Sequence, residues 1–182
     1  VFKNFILLLF MLWHPEVFAQ TEQTLMSNES NYVLTKNSKV RLQSNDFFGY
    51  FTRVQGRIST NDSSQVTCFD LVIDVNSLTF NMEGMAQHAK SADFFDAGNY
   101  PTITFFGKDM VLTDSTTSVD GMMRAKGVEI EKNIPFTVLF MPKNVVKLEA
   151  AFSIKRSDFG IGDIDVVSDE VLVFAELLAK KK

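Results

Sequence analysis

From Tyr32 onward, apolar and polar residues alternate with a period of two, and this decides the class of fold. Phe69, Leu71, Ile73 and Val75 share one side of an extended segment, with Asp70 and Asp74 on the other. Ile134, Phe136, Val138 and Phe140 line up in the same way. So do Leu148, Ala150, Phe152 and Ile154 against Glu149, Ala151, Ser153 and Lys155, and Val54, Gly56 and Ile58 against Arg53, Gln55 and Arg57. Successive side chains of a strand point to opposite faces, so each segment reads as a strand with one dry face. Turn-forming clusters separate them at Thr60–Ser64, Thr113–Ser115, Pro142–Asn144 and Gly160–Asp163. The pattern predicts strands near 32–36, 39–44, 50–60, 66–76, 102–112, 118–130, 134–141, 145–156 and 169–179. One segment breaks the period: over 83–92, Met85, Ala89 and Ala92 form a helical stripe.

Long strands with short connections and one short helix describe an antiparallel barrel or sandwich. A barrel is favoured because no strand reads as a charged edge. Its dry face mixes large rings (Phe69, Phe105, Phe136, Phe140, Phe152) with small residues (Gly56, Gly121, Ala125, Gly127, Ala150). Close packing uses such pairs to fill a core; a small barrel uses them to keep a cavity open. The alternation alone leaves both open. Methionines at 82, 85, 110, 122, 123 and 141 suit either, as gap-fillers or as an adaptable lining.

The first residues have another character. Lys3 precedes the apolar run Phe5–Trp13, and Val17-Phe18-Ala19 ends it with a small residue. That is the form of a secretory signal peptide, with cleavage expected after Ala19. The run is too short for the roughly 20 residues that span a bilayer. The chain therefore divides into a signal at 1–19, a polar lead-in at 20–31 and one barrel domain at 32–182, with a periplasmic location expected. The formal net charge of −4 gives no footprint for nucleic acid. Lys180-Lys181-Lys182 reads as a solubilising end, since three charges are a weak lipid signal. Cys68 is the only cysteine, so no intramolecular disulfide can form. The oligomeric state is not fixed, and a homodimer is compatible with the sequence.

Within Ser91–Phe105, the pair Phe94-Phe95 sits between Asp93 and Asp96, followed by a turn, Pro101 and a strand. Such a loop suits a plug that presses rings onto an apolar opening while its carboxylates stay in water. The segment Ile73-Asp74-Val75-Asn76-Ser77-Leu78, then Gln87-His88-Ala89-Lys90-Ser91, Asp93-Phe94-Phe95-Asp96 and Tyr100-Pro101-Thr102-Ile103-Thr104-Phe105, resembles the signature of the YceI-like family of lipid- and polyisoprenoid-binding proteins. Gly127-Val128 with Ile134-Pro135-Phe136, and Lys155–Ile161 followed by Ser168–Val171, extend the resemblance in order over roughly 32–180. It implies an extended, lipocalin-like, eight-stranded antiparallel barrel with a short helix before the Asp-Phe-Phe-Asp loop. It also implies a long apolar interior for a polyisoprenoid or fatty-acid-like chain. The expected lining is Val54, Phe69, Leu71, Ile73, Met85, Phe95, Ile103, Phe105, Met123, Phe136, Val138, Phe140, Leu148, Phe152 and Ile154, with His88 as a polar contact. The chain departs from the family pattern at Glu83-Gly84-Met85-Ala86, where members often carry an Arg-Asp pair, and at Asn45-Asp46, where a histidine is common.

Catalytic chemistry finds little support. His88, Asp93 and Asp96 are close in sequence, but a metal needs three or four converging ligands, and His14 in the signal segment is the only other histidine. Asp158-Phe159-Gly160 lacks the glycine-rich and catalytic loops of a kinase, and Ser153, Ser157 and Ser168 lack a base partner. No cofactor, metal or catalytic residue is expected. The alternatives are a filled structural barrel, or an enzyme using His88.

Overall fold

The computed structural model describes residues 29–112, 117–163, 165 and 167–182. The expected signal segment, most of the lead-in and the turn residues 113–115 lie outside them.

Eleven strands form one antiparallel sheet that closes on itself. They are β1 (Ser30–Leu34), β2 (Lys39–Gln43), β3 (Phe48–Phe51), β4 (Val54–Thr60), β5 (Val66–Asp74), β6 (Leu78–Phe80), β7 (Thr102–Leu112), β8 (Thr117–Ala125), β9 (Val128–Met141), β10 (Val145–Lys155) and β11 (Glu170–Lys181). The first six act as three bent strands. β1 and β2 both lie against β11, β4 and β3 lie against β1 and β2, and β5 and β6 lie against β4 and β3. With β7 to β11 these make an eight-strand closed barrel, as expected, and β1 seals it against β11.

The bends have local causes. Between Leu34 and Lys39 the chain takes five steps while β11 takes three between Ala179 and Glu176, a bulge. Buried Ser38 fills the gap: its hydroxyl donates to Leu178 O at 3.2 Å and accepts from Leu178 N at 3.1 Å. At the next bend Thr52 N and Oγ1 both donate to Ser77 O, and Arg53 N donates to Ser77 Oγ at 3.0 Å. Side chains thus replace missing ladder bonds, as buried backbone groups require. The alternation of 50–60 and 66–76 continues through such corners, so the sequence reading ran β3 into β4 and β5 into the single helical turn at Val75–Ser77, and missed β6. Another difference lies at Lys126-Gly127. The expected strand 118–130 turns there, and β9 runs from Val128 through Pro135 without a break. Gly127 therefore sits in a hairpin turn rather than on the dry face.

One seam of the wall carries no ladder. β9 pairs with β10 from Met141↔Val145 to Phe136↔Ala150 and no further. Residues 128–135 keep only β8, and residues 151–155 keep only β11.

The interior follows the alternation. Val54, Phe69, Phe105, Met123, Ile134, Phe136 and Leu148 are buried, and Arg53–Asp74 and Arg57–Asp70 pair on the outside at 2.7 and 3.0 Å. Gly107 faces Gly121 across β7 and β8, and a Cβ on Gly121 would stand 2.6 Å from the Phe105 ring. The ring occupies the room those glycines leave.

Candidate ligand cavity

The barrel has two unlike ends. The turns at 61–65 and 142–144 and the C-terminus of β11 lie at one. At the other, the 44–47 turn, the helix α1 (Met85–Lys90), the Asp-Phe-Phe-Asp loop and the 156–169 loop form a cap. The cap is wound tightly. Phe95 N donates to Ala89 O, Asp96 N to Ser91 O and Ala97 N to Lys90 O, which folds the loop back along α1. The Phe95 ring meets Phe51 edge-on at 6.0 Å, and Phe94 meets the His88 ring at 4.7 Å. Gly162 N donates to Asp93 O, and a Cβ on Gly162 would lie 2.5 Å from Phe94 and 2.7 Å from Arg156 Nη1. Only a glycine lets the loop pass between that ring and that guanidinium.

Below the cap, two neighbouring spaces lie along the axis. The deeper one, about 100 Å³, has apolar residues at every lining position except Thr104, among them Val54, Phe69, Leu71, Ile73, Phe105, Phe136, Leu148, Ala150 and Phe152. The one beneath the cap, about 140 Å³, adds Met85, His88, Ala89, Phe94 and Phe95. Leu42, Phe51, Ile103, Met123 and Ile154 line both. The space is narrow, and a long chain must shift rings to enter.

The expected lining residues are brought together here, with two exceptions. Val138 and Phe140 share the inner face of β9 with Phe136 but lie past the cavity, 36 % and 40 % exposed. Among the described residues β8 pairs no further than Thr117 opposite Phe136, so no described strand lies beside them on that side. Val40, Leu42, Val173 and Leu177 line the cavity and were missed, although Val171, Val173, Leu177 and Ala179 show the same alternation in β11. Phe94 was read as part of the plug, without a place in the lining.

Asp46, His88 and Arg156 border the space beneath the cap, but its walls are almost wholly apolar. Arg156 is 5 % exposed. Its Nε donates to Ser168 O at 2.9 Å, Nη1 to Ile161 O at 2.6 Å, and Nη2 to Asp163 O and Val167 O. Among the described residues it has no carboxylate partner. Asp46 Oδ2 accepts from Ser168 N at 2.8 Å and from Ser168 Oγ. Those bonds hold the Asp46 carboxyl below its ordinary range, with help from the Arg156 charge. Asp169 is lowered in the same sense by the Ser157 N–H and hydroxyl. The Asp46 bonds tie the 156–169 loop to the 44–47 turn, and the Asp169 bonds close the loop on itself. The contribution of a lowered carboxylate is complete above its unfolded value, about 3.9, and is lost as pH falls through the lowered folded value. A bound apolar probe is therefore expected to be released on acidification below about pH 4. Probe fluorescence followed against pH checks this, and an unchanged signal down to unfolding would contradict it.

Other groups offer less. No group of three or more His, Cys, Asp or Glu converges among the described residues. Cys68 is half-buried, and burial, then the Asp70 and Glu29 carboxylates, push its thiol up, away from the reactive thiolate.

A family model described as the YceI-like domain matches residues 28–179. The chain belongs to that family. BcnA of Burkholderia cenocepacia is similar, with 24% identity, a TM-score of 0.72, and coverage of 79% of this chain and 96% of that one. The YceI protein of Campylobacter jejuni is 21% identical with a TM-score of 0.66, covering 77% and 87%. A polyisoprenoid binding domain from Saccharophagus degradans, implicated in plant cell wall breakdown, is 15% identical with a TM-score of 0.67, covering 83% and 98%. At these identities the likeness concerns the fold. No curated protein matches the chain.

Proposed function

We propose that this YceI-like barrel is a periplasmic binding or carrier protein for one long apolar chain, polyisoprenoid or fatty-acid-like, held along the barrel axis. The observation that carries the reading is the pair of apolar spaces along the barrel axis, which share Leu42, Phe51, Ile103, Met123 and Ile154 in their walls. The polyisoprenoid binding domain among the similar structures supports it. Burial contributes about 0.8 kcal/mol per methylene, so ten methylenes give roughly 8 kcal/mol before ordering costs, enough for micromolar binding. No reacting group is needed for that.

Mass spectrometry of lipid extracted from protein purified from its native host tests the proposal. A co-purifying long-chain lipid is expected; no lipid, together with no uptake of a fluorescent prenyl or fatty probe, would refute it. Export rests on the sequence of residues 1–19, and N-terminal sequencing of the same material should begin at Gln20. His88→Ala is expected to weaken probe binding by no more than a polar contact, about 1 kcal/mol, because the ring already packs on Phe94. A turnover that disappears in that variant would favour an enzyme instead. A filled barrel is the second reading, favoured by the small resting volume and by Phe105 over the glycines.

A further inference from the structure

The hairpin of β9 and β10 projects from the uncapped end. Among the described residues the pairing of β9 with β8 ends at Phe136, while that with β10 continues to Met141. Along this projection the alternation of burial fails. Val138, Leu139, Phe140 and Met141 are 36, 60, 40 and 40 % exposed, so both faces of the strand present apolar side chains to water. Exposed Pro142 and Lys143 follow, and Lys143 and Asn144 turn the chain with φ of 64° and 57°. Beside the tip runs the end of β11: Lys180 lies opposite Val145, and Lys181 N donates to Asn144 O at 2.9 Å. The side chains of Lys180, Lys181 and Lys182 are exposed. The nearest acids along the same strands, Glu149 and Glu176, both face Lys147, at 2.8 and 4.0 Å. An apolar knuckle thus stands beside exposed lysines that have no acidic partner among the described residues.

We propose that this tip docks the uncapped end of the barrel onto an anionic lipid surface, with Leu139 and Met141 entering the boundary and Lys143, Lys180 and Lys181 against the phosphates. The inference rests on the lipid-binding reading above. Contiguous exposed apolar residues mark interaction sites, and a purely apolar protein partner would leave the lysines unmatched. An anionic bilayer matches both parts, since it accepts apolar side chains at the headgroup level and attracts each nearby lysine by about a fivefold gain in partitioning. The three terminal lysines, weak alone, act here with Lys143 and the apolar tip.

Vesicle co-sedimentation tests this, using phosphatidylcholine alone and phosphatidylcholine mixed with phosphatidylglycerol. The full chain and the chain from Gln20 are both used, to separate the tip from the apolar run at Phe5–Trp13. Binding to the mixed vesicles is expected for both, falling with salt. The pair Leu139→Ser and Met141→Ser, and separately the set Lys143→Asn, Lys180→Gln and Lys181→Gln, should each reduce it about tenfold or more, with unchanged melting. Binding by the full chain alone, or binding unchanged in both variants, overturns the proposal. So does a dimer in sedimentation velocity that Leu139→Ser dissolves, which would assign the tip to a second copy. Uptake of a soluble prenyl probe without vesicles separates the two readings. If it persists while vesicle binding fails, only docking falls; if it fails while docking holds, the carrier reading falls.

Discussion

Replacing Ala150 with phenylalanine abolishes uptake of a fluorescent prenyl or fatty probe while the ligand-free barrel melts within a few degrees of the parent. Ala150 lines the deeper cavity opposite Ala175 on β11 and Phe136 on β9. It is one of two alanines in that wall, with Ala175. A new ring at 150 enters space that the ligand chain would use. If the interior were a finished core, the same ring would overpack it at a cost of roughly 1–3 kcal/mol. That cost would lower Tm by about 2–4 °C per kcal/mol. Probe binding and melting measured on one preparation separate the cases. A large drop in Tm, with no probe uptake by the parent, would leave a barrel without a ligand.

The largest effect on stability is expected from Arg156→Leu. This side chain serves four carbonyls of the 160–168 loop from a buried position. Leucine matches much of its apolar bulk and none of its donors. Each buried acceptor left unpaired costs about 1–3 kcal/mol, less where water reaches the loop. A total loss of at least about 3 kcal/mol is expected, lowering Tm by roughly 6–12 °C. Arg156→Lys should recover little, because a compact ammonium with three donors cannot reproduce the fork that spans Ile161, Asp163, Val167 and Ser168. Chemical denaturation of both variants checks this, and a lysine variant as stable as the parent would show that charge, not geometry, holds the cap.

The difference between Ala150 and Arg156 also shows what the sequence could reveal. Wherever a strand had one dry face, alternation placed its residues correctly, and Phe69, Leu71, Ile73, Phe105, Phe136 and Leu148 needed no further information. The bends at Ser38, at Thr52-Arg53 and at Val75–Ser77 escaped it because a side-chain hydroxyl closes a ladder gap without breaking the polarity pattern. Val138 and Phe140 kept the right face and lost the cavity, since strand overhang depends on where the neighbouring strand ends. Arg156 was invisible as a buried residue for a simpler reason. It has no acidic partner to predict its burial, only carbonyls, which every residue possesses. Asp46 stands at a departure from the family pattern, and the structure places it beside the space beneath the cap, bonded to Ser168.

The seam between β9 and β10 bears on the modest resting volume. Opening a continuous barrel wall means breaking backbone bonds in register. Along 128–135 and 151–155 there are none to break. What spans that line is lighter: Lys132 reaches Asp158 at 3.5 Å, and Lys126 Nζ donates to Gly160 O at 2.8 Å. Like a sleeve slit along one side, the wall is expected to part first along that line, with every strand pair intact.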